Sequence, residues 1–165
     1  MKRTFFSFLF LTVLVTPALA KTNLNSQKDL PEESLNERTV KELLEKKSKV
    51  YLIDFWASWC EPCVESMPFY AAELKKMGLD DWTFIAVNLD SHRAQALDFL
   101  KKVSLPAWVL HDSKKKLAAK LNVNSIPMLF FVNAKGEVLK IEKGFNKNSK
   151  DTFRKNIAEI KKSLG

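Results

Sequence analysis

Cysteine is scarce in this 165-residue chain. There are two, Cys60 and Cys63, so no disulfide framework supports the fold. Histidine is as scarce: His92 and His111 stand nineteen positions apart (111 − 92). A structural zinc site takes about four ligands at short spacing, which these residues do not supply. No internal repeat and no recognised nucleic-acid-binding motif accompanies the basic residues, so nucleic acid is not indicated as a partner. The apolar run from Phe5 to Val15 falls short of the roughly 20 residues that a membrane-spanning helix needs.

What is present is globular material. Hydrophobic residues make up 46% of the chain and aromatics 11%, with twelve Phe and four Trp. A domain of about 100–150 residues buries enough of such surface to hold a core. The first twenty residues differ: Lys2 and Arg3 precede the apolar run, Pro17 ends it, and Ala18-Leu19-Ala20 has the small-x-small form of a signal-peptidase site. Residues 1–20 therefore read as a cleaved signal peptide, with a retained N-terminal anchor as the other use of such a segment. No cysteine lies near the junction, so lipid attachment there is excluded. Export places the chain in a periplasmic or other extracytoplasmic compartment where disulfides persist.

The polar stretch 21–34 reads as a linker, and 35–165 as one domain. Ser34-Leu35-Asn36-Glu37 is a capping box, followed by a helical face at Val40, Leu43 and Leu44. Strands are expected over Val50–Phe55, Trp82–Leu89, Ala107–Leu110, Met128–Val132 and Glu137–Glu142. Helices are expected over Cys60–Met77 (apolar at Val64, Met67, Tyr70, Ala71 and Leu74, stopped by Gly78), through about Lys102 after a Ser91 cap (Ala94, Leu97, Leu100), over Ser113–Leu121 and over Asn148–Ser163. Early alternation of strand and helix implies parallel crossovers, and the late hairpin across Asn133-Ala134-Lys135-Gly136 an antiparallel edge. The fold class is α/β: a mixed central sheet with helices on both faces.

Trp59-Cys60-Glu61-Pro62-Cys63 follows a strand and opens a helix. A two-residue spacer lets both sulfurs meet across one turn. Free amides and the macrodipole at a helix N-terminus favour a thiolate, the attacking form. Cys60 is thus the nucleophile and Cys63 the resolving thiol, and Pro62 fits an early position that needs no amide donor. A structural disulfide, a zinc ligand pair and a copper-carrying thiolate pair remain other uses of this spacing.

Asp54-Phe55-Trp56-Ala57-Ser58-Trp59-Cys60-Glu61-Pro62-Cys63, with Pro68 five residues beyond, resembles the active-site segment of thioredoxins. Ser125-Ile126-Pro127-Met128-Leu129-Phe130-Phe131, followed by Gly136-Glu137, resembles their cis-proline strand and hairpin. The match runs from about Val40 to Gly165. The leader, the Glu-Pro spacer and an inserted α/β segment from Ser91 to Asp112 are similar to the exported TlpA/ResA-like reductases, which are linked to cytochrome c maturation and other extracytoplasmic thiol reduction. The resemblance implies a thioredoxin-like fold and a cis Ile126–Pro127 bond facing Cys60, with backbone beside Ile126 that pairs with substrate. It implies an active-site helix kinked at Pro68, and Trp56 and Trp59 shielding the disulfide and shaping the docking surface. It also places Asp54 beneath Cys63 as an acid/base, and burial raises a carboxyl pKa. The chain departs from those relatives in one respect. Their glutamate three residues past the second cysteine is Ser66 here, and Glu65 is turned away from that position by about 100°.

Glu61 between the cysteines disfavours a Cys60 thiolate, although weakly in solvent, and so points to a reductant. A potential nearer roughly −270 mV than −120 mV follows. Oxidase or isomerase activity and a thiol-based copper carrier or binding module are the alternatives. The expectation is a monomer that needs no cofactor beyond its Cys60–Cys63 disulfide and binds no metal. Its expected partners are protein disulfides or thiols and a membrane electron-donor protein. Basic clusters at Lys46-Lys47, Lys114-Lys115-Lys116 and along the last helix, in a chain of net charge +8, form a solvated surface with weak attraction to anionic lipid. N-terminal sequencing of the mature protein is expected to begin at Lys21; a sequence beginning at Met1 marks an anchor.

Overall fold

The computed structural model describes residues 47–102, 105 and 107–164. The leader, the linker, the domain boundary at 35, the capping box, the first helical face and part of the inserted segment lie outside the described residues. Nine elements follow one another: β1 (Val50–Trp56), α1 (Glu61–Lys76), β2 (Trp82–Asn88), α2 (Arg93–Leu100), β3 (Trp108–His111), α3 (Lys116–Lys120), β4 (Met128–Asn133), β5 (Val138–Lys143) and α4 (Ser149–Leu164). One five-stranded sheet runs in the order β3-β2-β1-β4-β5. β1, β2 and β3 are parallel, and β4 and β5 are antiparallel to their neighbours. The fold is the mixed α/β, thioredoxin-like architecture expected, and within the inserted segment β3 extends the sheet.

β1 lies at the centre, and all its residues except Tyr51 are buried. A strand covered on both faces must be apolar throughout rather than alternating, and Val-Tyr-Leu-Ile-Asp-Phe-Trp meets that demand everywhere but at Asp54. One face carries Leu52, Trp56, Ala86, Leu129 and Phe131 against Met67, Tyr70 and Ala71 of α1 and Phe153, Ile157 and Ile160 of α4. The opposite face carries Ile53, Phe55, Ile85, Val87 and Phe130 against Leu117 and Ala118 of α3. Phe153 anchors the first core, with its ring 4.8 Å from that of Tyr70, 5.5 Å from Phe69 and 5.8 Å from Phe131.

Several expectations are corrected. Ser91 does not cap α2: His92 precedes it without a side-chain hydrogen bond. Ala94 faces solvent, and the buried position is Ala96, with Leu97, Phe99 and Leu100 packed partly against the core. α3 is five residues long because Lys115 takes a left-handed conformation (φ +52°) and the Asp112 carboxylate accepts the Lys116 and Ala118 amides at 2.8 and 2.9 Å. In α1, Val64 lies on the surface and Cys63 takes the inward position. Gly78, at φ +61°, ends that helix, and the following amide of Leu79 returns to the Leu74 carbonyl at 3.1 Å.

Removal of the anchoring ring leaves a cavity. Phe153→Ala is expected to lower the free energy of unfolding by about 3–5 kcal/mol, measured by urea titration.

Candidate active site

The strand ladder places the site. β1 pairs with β4 down to Phe55 opposite Met128. The chain therefore enters β4 from Pro127 at the same end of the sheet from which β1 leaves for Cys60. Between them, Ala57-Ser58-Trp59 turns the chain, and the Cys60 amide donates to the Ala57 carbonyl at 3.1 Å. Cys60 is the residue that caps α1, in an extended conformation and without a side-chain capping bond. Pro62 occupies the first turn, where no intrahelical donor is required, and Pro68 lies inside a helix that continues to Lys76. The two sulfurs are bonded, with the Cα atoms 5.3 Å apart. Cys63 is wholly buried, while Cys60 retains 5% of its surface. Of the two, Cys60 is the one that keeps any exposed surface.

Asp90, which the sequence did not single out, holds this turn. Its fully buried carboxylate accepts the Ser58 amide at 3.2 and 3.0 Å, the Ser58 hydroxyl at 3.1 Å and the Asn88 side-chain amide at 2.8 Å. The Asn88 side-chain oxygen accepts the Asp90 amide at 3.1 Å, and His111 Nε2 lies 2.9 Å from the Asp90 carbonyl oxygen. The loops after β1 and β2 and the end of β3 are thereby joined. An Asn-x-Asp directly after a strand was the available signal, since such side chains bond to their own backbone.

The tryptophans part company. Trp59 is 70% exposed, whereas Trp56 is buried and packs on Phe99 with ring centroids 4.9 Å apart. Trp56 contributes no surface to the site. Glu61, Pro62, Val64 and Glu65 line an open depression of about 540 Å³ on α1, and Glu65 pairs with Lys150 at 3.1 Å. Ser66 is buried and donates its hydroxyl to the Cys63 carbonyl at 3.2 Å. The Ile126–Pro127 bond is cis, and Ile126 is half-buried against both cores. Among the described residues, no three His, Cys, Asp or Glu side chains converge as a group that could hold a metal ion.

Asp54 shares the sheet face of Leu52 and Trp56, in the layer that α1 covers with Cys63, Met67 and Tyr70. Its cross-strand neighbours are Ala86 and Leu129. Neither carboxylate oxygen has a hydrogen-bond partner among the described residues. Burial pushes its pKa well above the carboxylate range, and the negative charge of Glu142 adds to the rise. Tyr70 is pushed up by burial and then by Asp54 and Glu142. Glu142, also missed in the sequence, belongs to the same layer because of a bulge. Phe131 faces Lys140 but Val132 faces Val138, so Leu139 is an extra residue. The shift of one turns Glu142 inward and leaves Ile141 39% exposed.

A family profile described as Redoxin matches residues 24–158. Thiol-disulfide oxidoreductase ResA of Bacillus subtilis is 27% identical over 126 residues, 75% of this chain and 70% of that protein. Sporulation thiol-disulfide oxidoreductase A of the same organism is 32% identical over 101 residues, 59% of this chain; the matched stretch spans 61% of that enzyme, under two thirds of its length. The crystal structure of a Chlorobium tepidum protein described as thiol:disulfide interchange protein DsbE superposes with a TM-score of 0.66 at 32% identity, over 71% of this chain and 83% of the other.

The raised Asp54 pKa fixes the sign of a pH effect. Above an ordinary carboxyl pKa of about 3.9 the unfolded chain gives up this proton and the folded chain keeps it, so folding loses stability as pH rises towards the folded value. Asp54→Asn is therefore expected to be more stable than the wild type at pH 8. Denaturant titrations should show the gain shrinking by up to about 1.4 kcal/mol per pH unit on descent and vanishing near pH 4.

Proposed function

The chain belongs to the Redoxin family and is a ResA-like thiol–disulfide oxidoreductase of the thioredoxin superfamily, and on that premise we propose that it reduces protein disulfides outside the cytoplasm. The observation that carries this reading is the Cys60–Cys63 bond at the start of a sixteen-residue helix, with Cys63 wholly buried and Cys60 keeping the little exposed surface of the pair. Support for the direction comes from Glu61, whose charge does not favour a stable thiolate between the cysteines. Support for export comes from the leader-like residues 1–20.

In the dithiol form the Cys60 thiolate attacks one sulfur of a substrate disulfide. That bond breaks, the other substrate sulfur leaves as a thiolate, and Cys60 is held in a mixed disulfide. Cys63 then gives its proton to Asp54 and attacks the Cys60 sulfur. The Cys60–Cys63 bond forms, the second substrate thiolate leaves, and two electrons have passed to the substrate. A dithiol donor must return two electrons before the next turn, and a membrane electron-donor protein fits an exported reductant that has no cofactor of its own. Exposed Trp59, with the backbone leading into Pro127, supplies a surface for an extended segment flanking the substrate disulfide. Apocytochrome c, a chain that must be reduced before haem attachment, is the finer assignment of substrate.

Single-turnover reduction of a model protein disulfide by the dithiol form tests the reading. Cys60→Ser is expected to abolish it, and Cys63→Ser to accumulate the mixed disulfide, whose captured partner mass spectrometry identifies. Equilibration with glutathione or dithiothreitol should give a potential near roughly −270 mV. A value above about −150 mV makes the protein an oxidant instead.

A further inference from the structure

Two carboxylates sit in one apolar layer with Leu129 between them. Across the sheet the row runs Ala86, Asp54, Leu129, Glu142. Adjacent strands lie about 4.8 Å apart, so the two acids are separated by roughly two strand spacings filled by Leu129. Asp54 is wholly buried and Glu142 retains 8% of its surface. Glu142 is anchored: its Oε1 accepts the Asn156 side-chain amide from α4 at 2.8 Å. Asp54 is bonded to nothing among the described residues.

The groups that face this layer are few. α1 contributes Cys63 and Tyr70, α4 contributes the uncharged Asn156, α2 contributes Ala96, and β2 and β4 contribute Ala86 and Leu129. Of the cations on β5 and α4, Lys140 pairs with Glu159, Arg154 with Glu73 and Lys150 with Glu65, while Lys143 and Lys155 are exposed to solvent. Among the described residues, no cation lowers the Asp54 pKa against the Glu142 charge. The inward turn of Glu142 is also specific. The Leu139 bulge places it there, and without the extra residue Ile141 would fill the position with a side chain suited to the core.

We propose that Glu142 is a positioning residue for proton transfer between Cys63 and Asp54, acting through its charge across the Leu129 row. The proposal rests on the dithiol chemistry above. A proton passes readily between groups of similar proton affinity, and a free aspartate carboxyl lies about four and a half pH units below a free thiol. Burial closes part of that gap for Asp54, and the Glu142 charge closes more of it. Burial raises the Glu142 pKa and the Asn156 amide draws it back down, whereas Asp54 has no such partner among the described residues, so of the two acids Asp54 is the one that takes up a proton. When Cys63 must lose its proton, Asp54 is then a base of the needed strength. When the protein is recharged and Cys63 leaves as a thiolate, the same residue returns the proton.

The test reads Asp54 directly. The full chain, carrying 13C-labelled aspartate carboxyls, is titrated by NMR in its oxidised and dithiol forms. Glu142→Gln keeps the acceptor for Asn156 and removes the charge, and is expected to move the Asp54 midpoint down by about half a pH unit or more. Glu142→Asp keeps the charge and should restore most of the wild-type midpoint. The pH profile of mixed-disulfide resolution should shift to the acid side with the midpoint in Glu142→Gln. An Asp54 midpoint unmoved in Glu142→Gln overturns the proposal. Should that variant fail to fold, Asn156→Leu decides: weaker anchoring of the Glu142 charge must also lower the Asp54 midpoint, and no movement overturns the proposal. A wild-type protein that reduces no disulfide defeats the functional reading alone, because the NMR titration still reports on the pair.

Discussion

β1 is buried on both faces and must give way to the cysteine that opens α1 within four residues of its end. Everything in the site depends on that constraint. The strand can run through the core only because its side chains are apolar, and it can stop abruptly only if the turn that follows is held. Asp90 holds it by accepting both donors of Ser58 while Asn88 and His111 fix Asp90 in turn. A buried carboxylate satisfied by several donors is worth having, whereas the same group without them is a liability. Asp90 and Asp54, both wholly buried, are the two cases side by side.

Much of this was legible in the sequence, because the relevant signals are local. A Cys-x-x-Cys pair between a buried strand and an apolar helical period announces its own geometry, and Gly78 and Asn133–Gly136 mark where elements end. The cis proline came from the resemblance of Ser125–Phe131, since no pattern in one chain distinguishes the isomers. What stayed hidden depended on distant partners. Val64 reads as a core residue until Cys63 claims the inward position. Ala94 reads as part of an apolar stripe, but α2 rotates to bury Ala96. Glu142 sits in Lys-Ile-Glu-Lys, where alternation assigns Ile141 to the core, and only a bulge opposite Phe131 and Val132 reverses the assignment. Register is a property of two strands, and neither sequence alone contains it.

Charge is distributed unevenly over the chain. The net charge is +8, yet the depression on α1 beside the disulfide is rimmed by Glu61 and Glu65. The neighbouring cation, Lys150, pairs with Glu65 and lies 5.6 and 5.9 Å from the ring centres of Phe69 and Phe145. That arrangement ties α4 to α1 more than it offers a charge to a partner. Arg154, bonded at 2.8 and 3.0 Å to the buried carboxylate of Glu73, does the same further along the helix. The helix that bears the cysteines is thus fastened to α4 along its length, and its first turn is kept in register with the Ser58 clamp.

The remaining question is why such a fold keeps Asp54 at all. An apolar side chain would suit the layer between Ala86 and Leu129, and it would remove a group whose proton is held against the pull of solvent. Satisfied buried acids organise structure; an unsatisfied one at the centre of a sheet opposes it, and proteins retain such groups where chemistry requires them. Under the mechanism we propose, the requirement is a separation of tasks. Negative charge belongs at Cys60, where helix amides stabilise it beside solvent. The proton belongs beneath Cys63, where water cannot take it. A carboxyl buried without partners is the side chain that keeps a proton in such a place and still gives it up.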